Sequence, residues 1–431
     1  MQNFKSFYKD VVKLGKFNIA IGANASGKSN LIQAFKFLKD ISEFGMDDAI
    51  SMQGGPEYLF NVNHPEENVL QIKIRDGSKR EFPAREDDGI GFEVTDTTYE
   101  IKINLSDKKT YVKSVDDKFK FVCELYKYNR IRKAGRVERK KSKSLGSGEL
   151  VVSKIGSDIT RETLFPVGVS KEKVADNVVE FSIWDRILES KMFRVGKRQS
   201  LLEADIPPFI YFGENFKNKL QNISIFDIDT KAIKKAQPIT GRHDLEQDGS
   251  NLAAVIRRLV KNSSTKQQIK DIINSLLPFI EDINIKKLED NVIIRMKEKF
   301  QKDKLFPSFL LSDGTINLTA LAVVLFFENK PLKIIEEPER NIHPHLIAQI
   351  MELMREASIE SQIITTTHNP EMVRYANLDD IILISRNRYG DSEISKPYEV
   401  EEIHRFLRHD LGIEELYVQN LLEKYSYNVS K

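Results

Sequence analysis

The chain has 431 residues, of which 40% are hydrophobic and 30% are charged, which indicates a well-solvated protein with a substantial core. Its 66 Lys and Arg residues nearly balance 64 Asp and Glu residues, so polyanion binding would require a local basic patch. The single cysteine, Cys123, excludes an intramolecular disulfide and a cysteine-rich zinc site. No apolar stretch approaches the roughly 20 residues that span a bilayer, so we expect a cytoplasmic protein without membrane contacts.

Residues 1–65 follow the pattern of a strand, a glycine loop and a helix. The apolar run at 17–21 is typical of a buried parallel strand. Glycines occupy both ends of the segment 22–27. The apolar side chains that follow have helical spacing, at Leu31, Ile32, Phe35 and Leu38.

The middle of the chain changes from an alternating pattern to a helical one. Between residues 66 and 155, several segments alternate apolar and polar residues, which predicts an antiparallel sheet with one face in water. Cys123 is expected on a buried strand of that sheet. Helical patterns follow near 176–195 and over 250–282.

A second α/β pattern occupies residues 301–395. The predicted elements are helices at 318–327 and 346–354, strands at 332–335, 363–365 and 381–384, and a helical tail at 400–422. The simplest assembly joins the two ends of the chain in one sheet-centred α/β domain. The expected segments are 1–65 and 301–395 for that domain, 66–155 for an antiparallel β insertion, 156–300 for a helical or mixed insertion, and 396–431 for the tail.

Residues 22–29, Gly-Ala-Asn-Ala-Ser-Gly-Lys-Ser, match the phosphate-loop pattern G-x-x-x-x-G-K-[ST] at every fixed position. Between a strand and a helix, such a loop can orient backbone N–H groups and the helix N-terminus toward an anion. We expect Lys28 to reach the β- and γ-phosphates of ATP and the Ser29 hydroxyl to coordinate Mg²⁺. The predicted cofactor-binding residues of this segment are Gly22, Asn24, Gly27, Lys28, Ser29 and Asn30.

Two adjacent carboxylates end the apolar run at 332–335. Neighbouring side chains of a strand point to opposite sides, so Glu336 and Glu337 can have different tasks. We expect Glu336 to hold Mg²⁺ or its waters, and Glu337 to orient and deprotonate the attacking water. His368 follows the next strand, at the edge where open α/β sheets bind ligands, and is expected to donate a hydrogen bond to the γ-phosphate.

A short polar motif, Leu-Ser-Asp-Gly-Thr at residues 311–315, precedes the apolar helix of the second α/β pattern. Ser312 and Gly314 can present a hydroxyl and an amide at the helix N-terminus, which would make a second anion site. The alternative is an ordinary cap, in which Ser312 or Asp313 starts the helix. Taken alone, the motif favours the cap.

The order of these motifs is recognisable. A phosphate loop, a long insertion, L-S-D-G-T, I-I-E-E-P-E and T-T-T-H-N-P resemble the ABC-type ATPase head of RecF, SMC proteins and OLD-family nucleases. The pattern is more similar still to compact AAA-type ATPases of bacterial phage-defence and abortive-infection systems. The resemblance implies an ATPase of low intrinsic turnover in which Ser312 and Gly314 of one copy contact the γ-phosphate bound by another. It therefore implies a head-to-tail homodimer or a higher oligomer.

OLD-type nucleases also carry a C-terminal nuclease domain with spaced acidic motifs. Only about 45 residues follow Ile384, too few for such a domain. We therefore expect a separately encoded effector, a nuclease for example.

A basic segment between the predicted strands near Phe121 and Val151 is the candidate nucleic-acid site. Its candidate contacts are Arg132, Lys133, Arg136, Arg139, Lys140 and Lys141. These charges could neutralise several phosphates of DNA or RNA without reading the base sequence. A hairpin tip whose charge keeps an exposed edge soluble fits equally well, as does a hairpin that docks an acidic partner protein.

Three hypotheses stay open at this point. In the first, ATP-dependent dimerisation controls the effector in bacterial anti-phage defence, an assignment that rests on the family resemblance. In the second, a RecF-like DNA-maintenance ATPase binds duplex ends or gaps through the basic segment. In the third, the chain is an assembly scaffold that binds ATP but turns it over negligibly.

Overall fold

The structure, a computed structural model, describes residues 1–84, 89–133, 136–170, 174, 195–204, 207–239, 243–301, 304–408 and 411–426. It leaves out the side chains of residues 130–133, 136–139, 207–212 and 425–426. The predicted helix near 176–195 lies, except for Val195, outside the described residues. Within these ranges, none of the helices combines the length and the apolar composition that crossing a membrane requires.

The described elements are as follows. The strands are β1 Gln2–Phe4, β2 Phe7–Lys9, β3 Phe17–Ile21, β4 Val69–Asp76, β5 Arg80–Phe82, β6 Ile90–Leu105, β7 Val112–Lys133, β8 Arg136–Ile155, β9 Asp158–Leu164, β10 Ile223–Phe226, β11 Gln237–Pro238, β12 Ile280–Leu288, β13 Asn291–Glu298, β14 Leu305–Pro307, β15 Leu332–Glu336, β16 Gln362–Thr367, β17 Ile381–Arg386 and β18 Ser392–Ser395. The α-helices are α1 Lys28–Phe44, α2 Met46–Met52, α3 Pro207–Gln221, α4 Thr230–Lys234, α5 Leu252–Leu259, α6 Ser263–Leu276, α7 Asp313–Phe326, α8 Ile347–Ala357, α9 Pro370–Arg374, α10 Glu401–Arg408, α11 Ile413–Val418 and α12 Leu421–Ser426. Short 3₁₀ helices occur at Pro56–Tyr58, Ser308–Leu310, Pro344–Leu346, Leu378–Asp380 and Pro397–Glu399.

The chain forms two compact units. The first unit contains residues 1–10, 33–221 and 388–391, and the second contains residues 11–32, 222–387 and 392–431. The second unit contains all the predicted site motifs. These are the phosphate loop, the L-S-D-G-T motif, the carboxylates Glu336 and Glu337, and His368. The predicted site can therefore be described within one unit.

An antiparallel sheet runs through the first unit, as predicted. Its strands lie in the order β2-β1-β4-β6-β7-β8-β9, with β5 paired to β6. Tyr99 on β6 pairs with Phe119 on β7, and both side chains are fully buried, so this pair anchors the covered face of the sheet. Cys123 on β7 is also buried, and burial raises the pKa of its thiol to about 12, which makes the thiol unreactive near neutral pH.

A parallel sheet forms the centre of the second unit. The strands β10, β15, β16, β3 and β17 are parallel in that order, and β18 is antiparallel to β17. The N-terminal strand β3 thus lies between two strands from the C-terminal part of the chain. This confirms the prediction that both ends share one sheet. Every residue of β3 is buried, as expected for a parallel strand with both faces covered.

Helices and a small second sheet complete the second unit. Helix α7 is buried along residues 315–325, because its surface is apolar on all sides. It contributes to one hydrophobic core with side chains from α5, α6 and α8 and from the parallel sheet. The second sheet has the strand order β11-β13-β12, with β14 paired to β13.

The helical prediction for residues 250–282 is wrong in part. The segment holds two helices, α5 and α6, separated at Asn262, whose side chain accepts hydrogen bonds from the first turn of α6. The second helix ends before Pro278, because proline restricts the preceding residue to extended backbone and has no amide hydrogen. Strand β12 then begins at Ile280.

Candidate nucleotide-binding site

The phosphate loop connects β3 to α1 and is held from two neighbouring strands. A side chain at Gly22 would place its Cβ 2.1 Å from the carbonyl oxygen of Ile384, so only glycine fits there. Ala25 has a left-handed backbone with φ 63°, which costs free energy for a non-glycine residue, so the contacts of the loop must hold it there. Arg386 Nε donates to the Ala25 carbonyl at 2.9 Å, and Ser392 Oγ donates to the Ser26 carbonyl at 2.5 Å.

Lys28 is the first residue of α1, and its side chain folds back over the loop. Its Nζ donates to the carbonyl oxygens of Gly22 at 2.7 Å and Ala23 at 2.9 Å. Burial lowers the pKa of the Lys28 ammonium, whereas the charges of Glu337 and Glu339 act in the opposite direction. Strands β3 and β15 both pair in parallel with β16, so the phosphate loop and the two carboxylates leave the same edge of the sheet, although more than 300 residues separate them in sequence.

The other predicted residues of the loop surround this lysine. Asn24 and Ser29 are exposed, and Asn30 is partly buried on α1. The first amides of a helix have no acceptor within that helix, so the start of α1 can offer N–H groups to an anion, together with the positive end of the helix dipole.

Glu337 follows β15 directly and has a left-handed backbone, with φ 43°. Its Oε1 lies 2.8 Å from His368 Nδ1, and its Oε2 accepts a hydrogen bond from Arg340 at 3.1 Å. Burial raises the pKa of Glu337, but the hydrogen bond from Arg340 and the charge of His368 outweigh it, so the pKa lies below the usual value. The structure thus brings two residues whose roles were predicted separately, Glu337 and His368, into direct contact.

Glu336 is the last residue of β15, and it is partly buried. It pairs with Thr366 in the neighbouring strand, whereas Glu337 has already left the strand and donates its amide to the Thr366 carbonyl at 3.0 Å. The two adjacent carboxylates therefore have different surroundings.

Glu339 is a third carboxylate, which the sequence analysis missed. It is 6% exposed, and it accepts a hydrogen bond from Thr367 Oγ1. Its other oxygen, Oε2, is buried without a hydrogen-bond partner among the described residues. Burial raises the pKa of Glu339 above its usual value, and the Thr367 hydrogen bond offsets this only in part. The signal in the sequence is the E-E-P-E string, whose third carboxylate is Glu339.

Ser312 and Gly314 lie beside the loop that follows β15. Ser312 is the N-cap of α7, since its Oγ accepts a hydrogen bond from the Thr315 amide at 3.0 Å. A Cβ at Gly314 would lie 2.7 Å from the carbonyl oxygen of Asn341, so the helix start closely approaches that loop. Asn317 on α7 reinforces the contact by donating to the carbonyl oxygens of Pro338 and Arg340, at 3.0 Å and 2.7 Å.

These residues fit a magnesium nucleotide. The Lys28 ammonium and the N-terminus of α1 can bind phosphates. The carboxylates at the C-terminal end of β15 offer the hard oxygen ligands that Mg²⁺ prefers. No group of three or more His, Cys, Asp or Glu residues that could bind a metal ion alone occurs in the part of the chain that the structure describes. Mg²⁺ is commonly held by one or two side chains together with substrate phosphates, and Ser29 and Glu336 would offer that arrangement. The unpartnered oxygen of Glu339 is an atom that a bound cation or its water would satisfy.

The basic segment forms the tip of the β7–β8 hairpin, where Lys133 pairs with Arg136. The side chains of Arg132, Lys133, Arg136 and Arg139 lie outside the described residues. Lys140 is exposed. Lys141 is partly buried, with its Nζ 3.3 Å from Glu93, 3.7 Å from Glu81 and 4.6 Å from the centre of the Tyr126 ring. Lys141 is thus already paired with carboxylates of the strands β5 and β6, outside the hairpin.

Comparison with known proteins identifies a family and several similar structures. Residues 17–374 match the family model described as "AAA domain, putative AbiEii toxin, Type IV TA system". No curated protein matches the chain. Among solved structures, an Smc head bound to the C-winged helix domain of ScpA is 19% identical, with 91% of this chain and 95% of that chain covered and a TM-score of 0.47.

Two further SMC head structures are similar to the chain. One is an Smc head domain with an extended coiled coil, bound to the C-terminal domain of ScpA and derived from Pyrococcus furiosus; it is 17% identical, with 94% and 98% coverage and a TM-score of 0.41. The other is an SMC head domain from Thermotoga maritima, 15% identical, with 92% and 96% coverage and a TM-score of 0.36.

Proposed function

This chain belongs to the AAA-domain family whose model matches residues 17–374, and from that membership we propose that it binds ATP with Mg²⁺ and hydrolyses the ATP. The observation that carries the proposal is that β3, which leads into the phosphate loop, and β15, which ends before Glu337, both pair in parallel with β16, so Lys28 and Glu337 follow strands that end at one edge of the sheet, within one unit. A nucleotide whose β- and γ-phosphates contact Lys28 would have its terminal phosphate near the carboxylate that can activate water.

Each residue has a distinct task in this proposal. Lys28 and the first amides of α1 bind the phosphates, and Ser29 and Glu336 hold Mg²⁺, which neutralises charge on the phosphates. Glu337 orients a water and accepts its proton as the water oxygen bonds to the γ-phosphorus and the bond to the ADP oxygen breaks. Because Nδ1 of His368 contacts Glu337, its Nε2 is the nitrogen that would donate to the γ-phosphate.

A second copy of the chain would complete each site. We propose that Ser312 and Gly314 contact the γ-phosphate bound by the partner, in a head-to-tail homodimer. Two observations support this assignment. Ser312 is exposed at the N-terminus of α7, where helix amides favour anions. The preceding side chains, Phe309 and Leu310, are 60% and 64% exposed, so an apolar surface adjoins the motif.

The variant Ser312→Asp separates capping from phosphate binding. Aspartate is as good an N-cap as serine, but its charge would repel a γ-phosphate. We expect the variant to fold and to bind ATP, to lose ATP-dependent dimerisation in light scattering, and to lose roughly 100-fold in kcat or more. Ser312→Thr, which keeps the hydroxyl, is the control.

Mixing S312D with K28A should restore part of the ATPase activity, because one composite site keeps both Lys28 and Ser312. S312D dimers at the parent's ATP concentration would contradict the assignment.

We further propose that the ATP-bound dimer controls a separately encoded effector in anti-phage defence. Slow ATP hydrolysis would set the lifetime of the ATP-bound dimer. Support comes from the family description, which names a toxin and a type IV TA system. The test is co-expression with the products of adjacent genes. One product should co-elute with E337Q in ATP and not with K28A. Equal elution with both variants, or with neither, would contradict the proposal.

A further inference from the structure

Three polar residues end three neighbouring strands of the second unit. The strands β10, β15 and β16 are adjacent and parallel. Each is followed directly by a polar residue, which is Asp227 after β10, Glu337 after β15 and His368 after β16. Because the carboxyl ends of parallel strands meet at one edge of a sheet, these side chains form a row.

Arg340 connects the first two members of this row. Its NH1 donates to Asp227 Oδ1 at 2.9 Å, and its NH2 donates to Glu337 Oε2 at 3.1 Å. His368 Nδ1 lies 2.8 Å from the other oxygen, Glu337 Oε1. Both oxygens of Glu337 are therefore held, and the rigid, planar guanidinium fixes the direction of one of these contacts.

The main chain keeps Arg340 in place. Its amide donates to the Glu337 carbonyl at 3.0 Å, and its own carbonyl accepts from Asn317 Nδ2 at 2.7 Å. The Asp227 amide donates to the Gln247 carbonyl at 2.9 Å. Because the backbones on both sides of the guanidinium are bonded, the bridge has a defined geometry.

We propose that Asp227 and Arg340 are positioning residues for Glu337, with Asp227 acting through Arg340. The proposal rests on the proposed role of Glu337 in orienting water. A general base works only when its carboxylate lies in the productive orientation. The bridge would hold Glu337 Oε2 while His368 holds Oε1, so that a water meets the carboxylate in one orientation.

Stability does not explain the bridge. The side chains of Asp227 and Arg340 are 46% and 44% exposed, and exposed ion pairs contribute little to folding. Variants of both residues should therefore fold, with melting temperatures close to that of the parent.

Kinetics of the full-length chain test the proposal. We expect Arg340→Gln to lower kcat about 10-fold or more with little change in KM, since an unheld carboxylate spends less time in the productive orientation. Asp227→Asn should lower kcat by a smaller factor. The double variant should match R340Q, because Asp227 acts only through Arg340. The control is Asp244→Asn, which removes the exposed partner of a different ion pair of the unit, with Lys330 at 2.6 Å.

A second readout does not depend on activity. The chain has seven histidines, so selective ¹⁵N labelling of histidine can resolve the His368 ring in the nucleotide-free protein, with assignment from a His368→Asn variant. R340Q and D227N should both shift this signal, and D244N should not.

The outcomes separate this inference from the proposed function. If E337Q loses ATPase activity while R340Q keeps the parent's kcat, or if the effects of D227N and R340Q on kcat multiply, the positioning role is overturned and the function of Glu337 stands. If E337Q keeps the parent's activity, both are overturned.

Discussion

Lys28→Ala is expected to weaken ATP binding about 100-fold or more. The ammonium would make charge-assisted hydrogen bonds to two phosphates, each worth roughly 1.5–3 kcal/mol. The α1 amides and the helix dipole would stay in place in the variant, so any loss reports on the lysine itself. Equilibrium titration with a fluorescent ATP analogue in Mg²⁺ measures the change.

A control lysine lies on the same helix. Lys39 is in an i,i+4 pair with Glu43 at 3.8 Å, and Lys39→Ala should leave ATP affinity within about 2-fold of the parent, because i,i+4 ion pairs contribute little to the stability of a helix. K28A that binds the analogue as tightly as the parent would mean that the Lys28 ammonium does not bind the phosphates.

Glu337→Gln is expected to lower kcat for ATP hydrolysis by a factor of about 10²–10⁴, the usual contribution of a positioned general base. Glutamine keeps the size of the side chain and can still contact Arg340 and His368, but it cannot take a proton from water. ATP affinity should therefore change little, and the variant should accumulate as an ATP-bound dimer. Phosphate release at saturating ATP measures kcat.

The control for this variant is Glu352→Gln, at an exposed position of α8. It makes the same chemical change and should keep the parent's kcat. If E337Q also hydrolyses ATP at the parent's rate, Glu337 is not the base. An equally slow rate in the parent and in E337Q would favour a scaffold that binds ATP without meaningful turnover.

The sequence predicted the parts of the second unit that depend on local patterns. The run at 17–21 and the glycines after it identified β3 and the phosphate loop, because a buried parallel strand and a loop that accepts phosphates each require a short, specific string. That both ends of the chain share one sheet was also predicted, whereas the position of β3 between β16 and β17 was not.

The residues that surround Glu337 could not be predicted in the same way. Arg340 contacts Asp227 across 113 positions of sequence, and nothing in the short string around Asp227 marks it as a partner. Glu339 is a candidate site residue because it is buried and hydrogen-bonded to Thr367. That contact depends on the pairing of β15 with β16. Tertiary contacts of this kind carry no periodic or motif signal.

Helix boundaries were misjudged where a single residue decides them. The helix predicted from 318 begins at Asp313, because Ser312 caps it. The tail predicted as one helical stretch at 400–422 is divided into α10, α11 and α12. The structure establishes Ser312 as a cap, so the capping alternative describes its role within its own chain.

Single-turnover phosphate release tests most directly whether Glu337 acts on the nucleotide that the chain binds. The parent and E337Q, each in excess over γ-labelled ATP with Mg²⁺, are followed from the moment of binding. We predict that both capture the nucleotide to the same extent and that the parent then releases labelled phosphate at least 100-fold faster than E337Q. Equal release rates after equal capture would contradict the account, because they would place the chemistry elsewhere than at the end of β15.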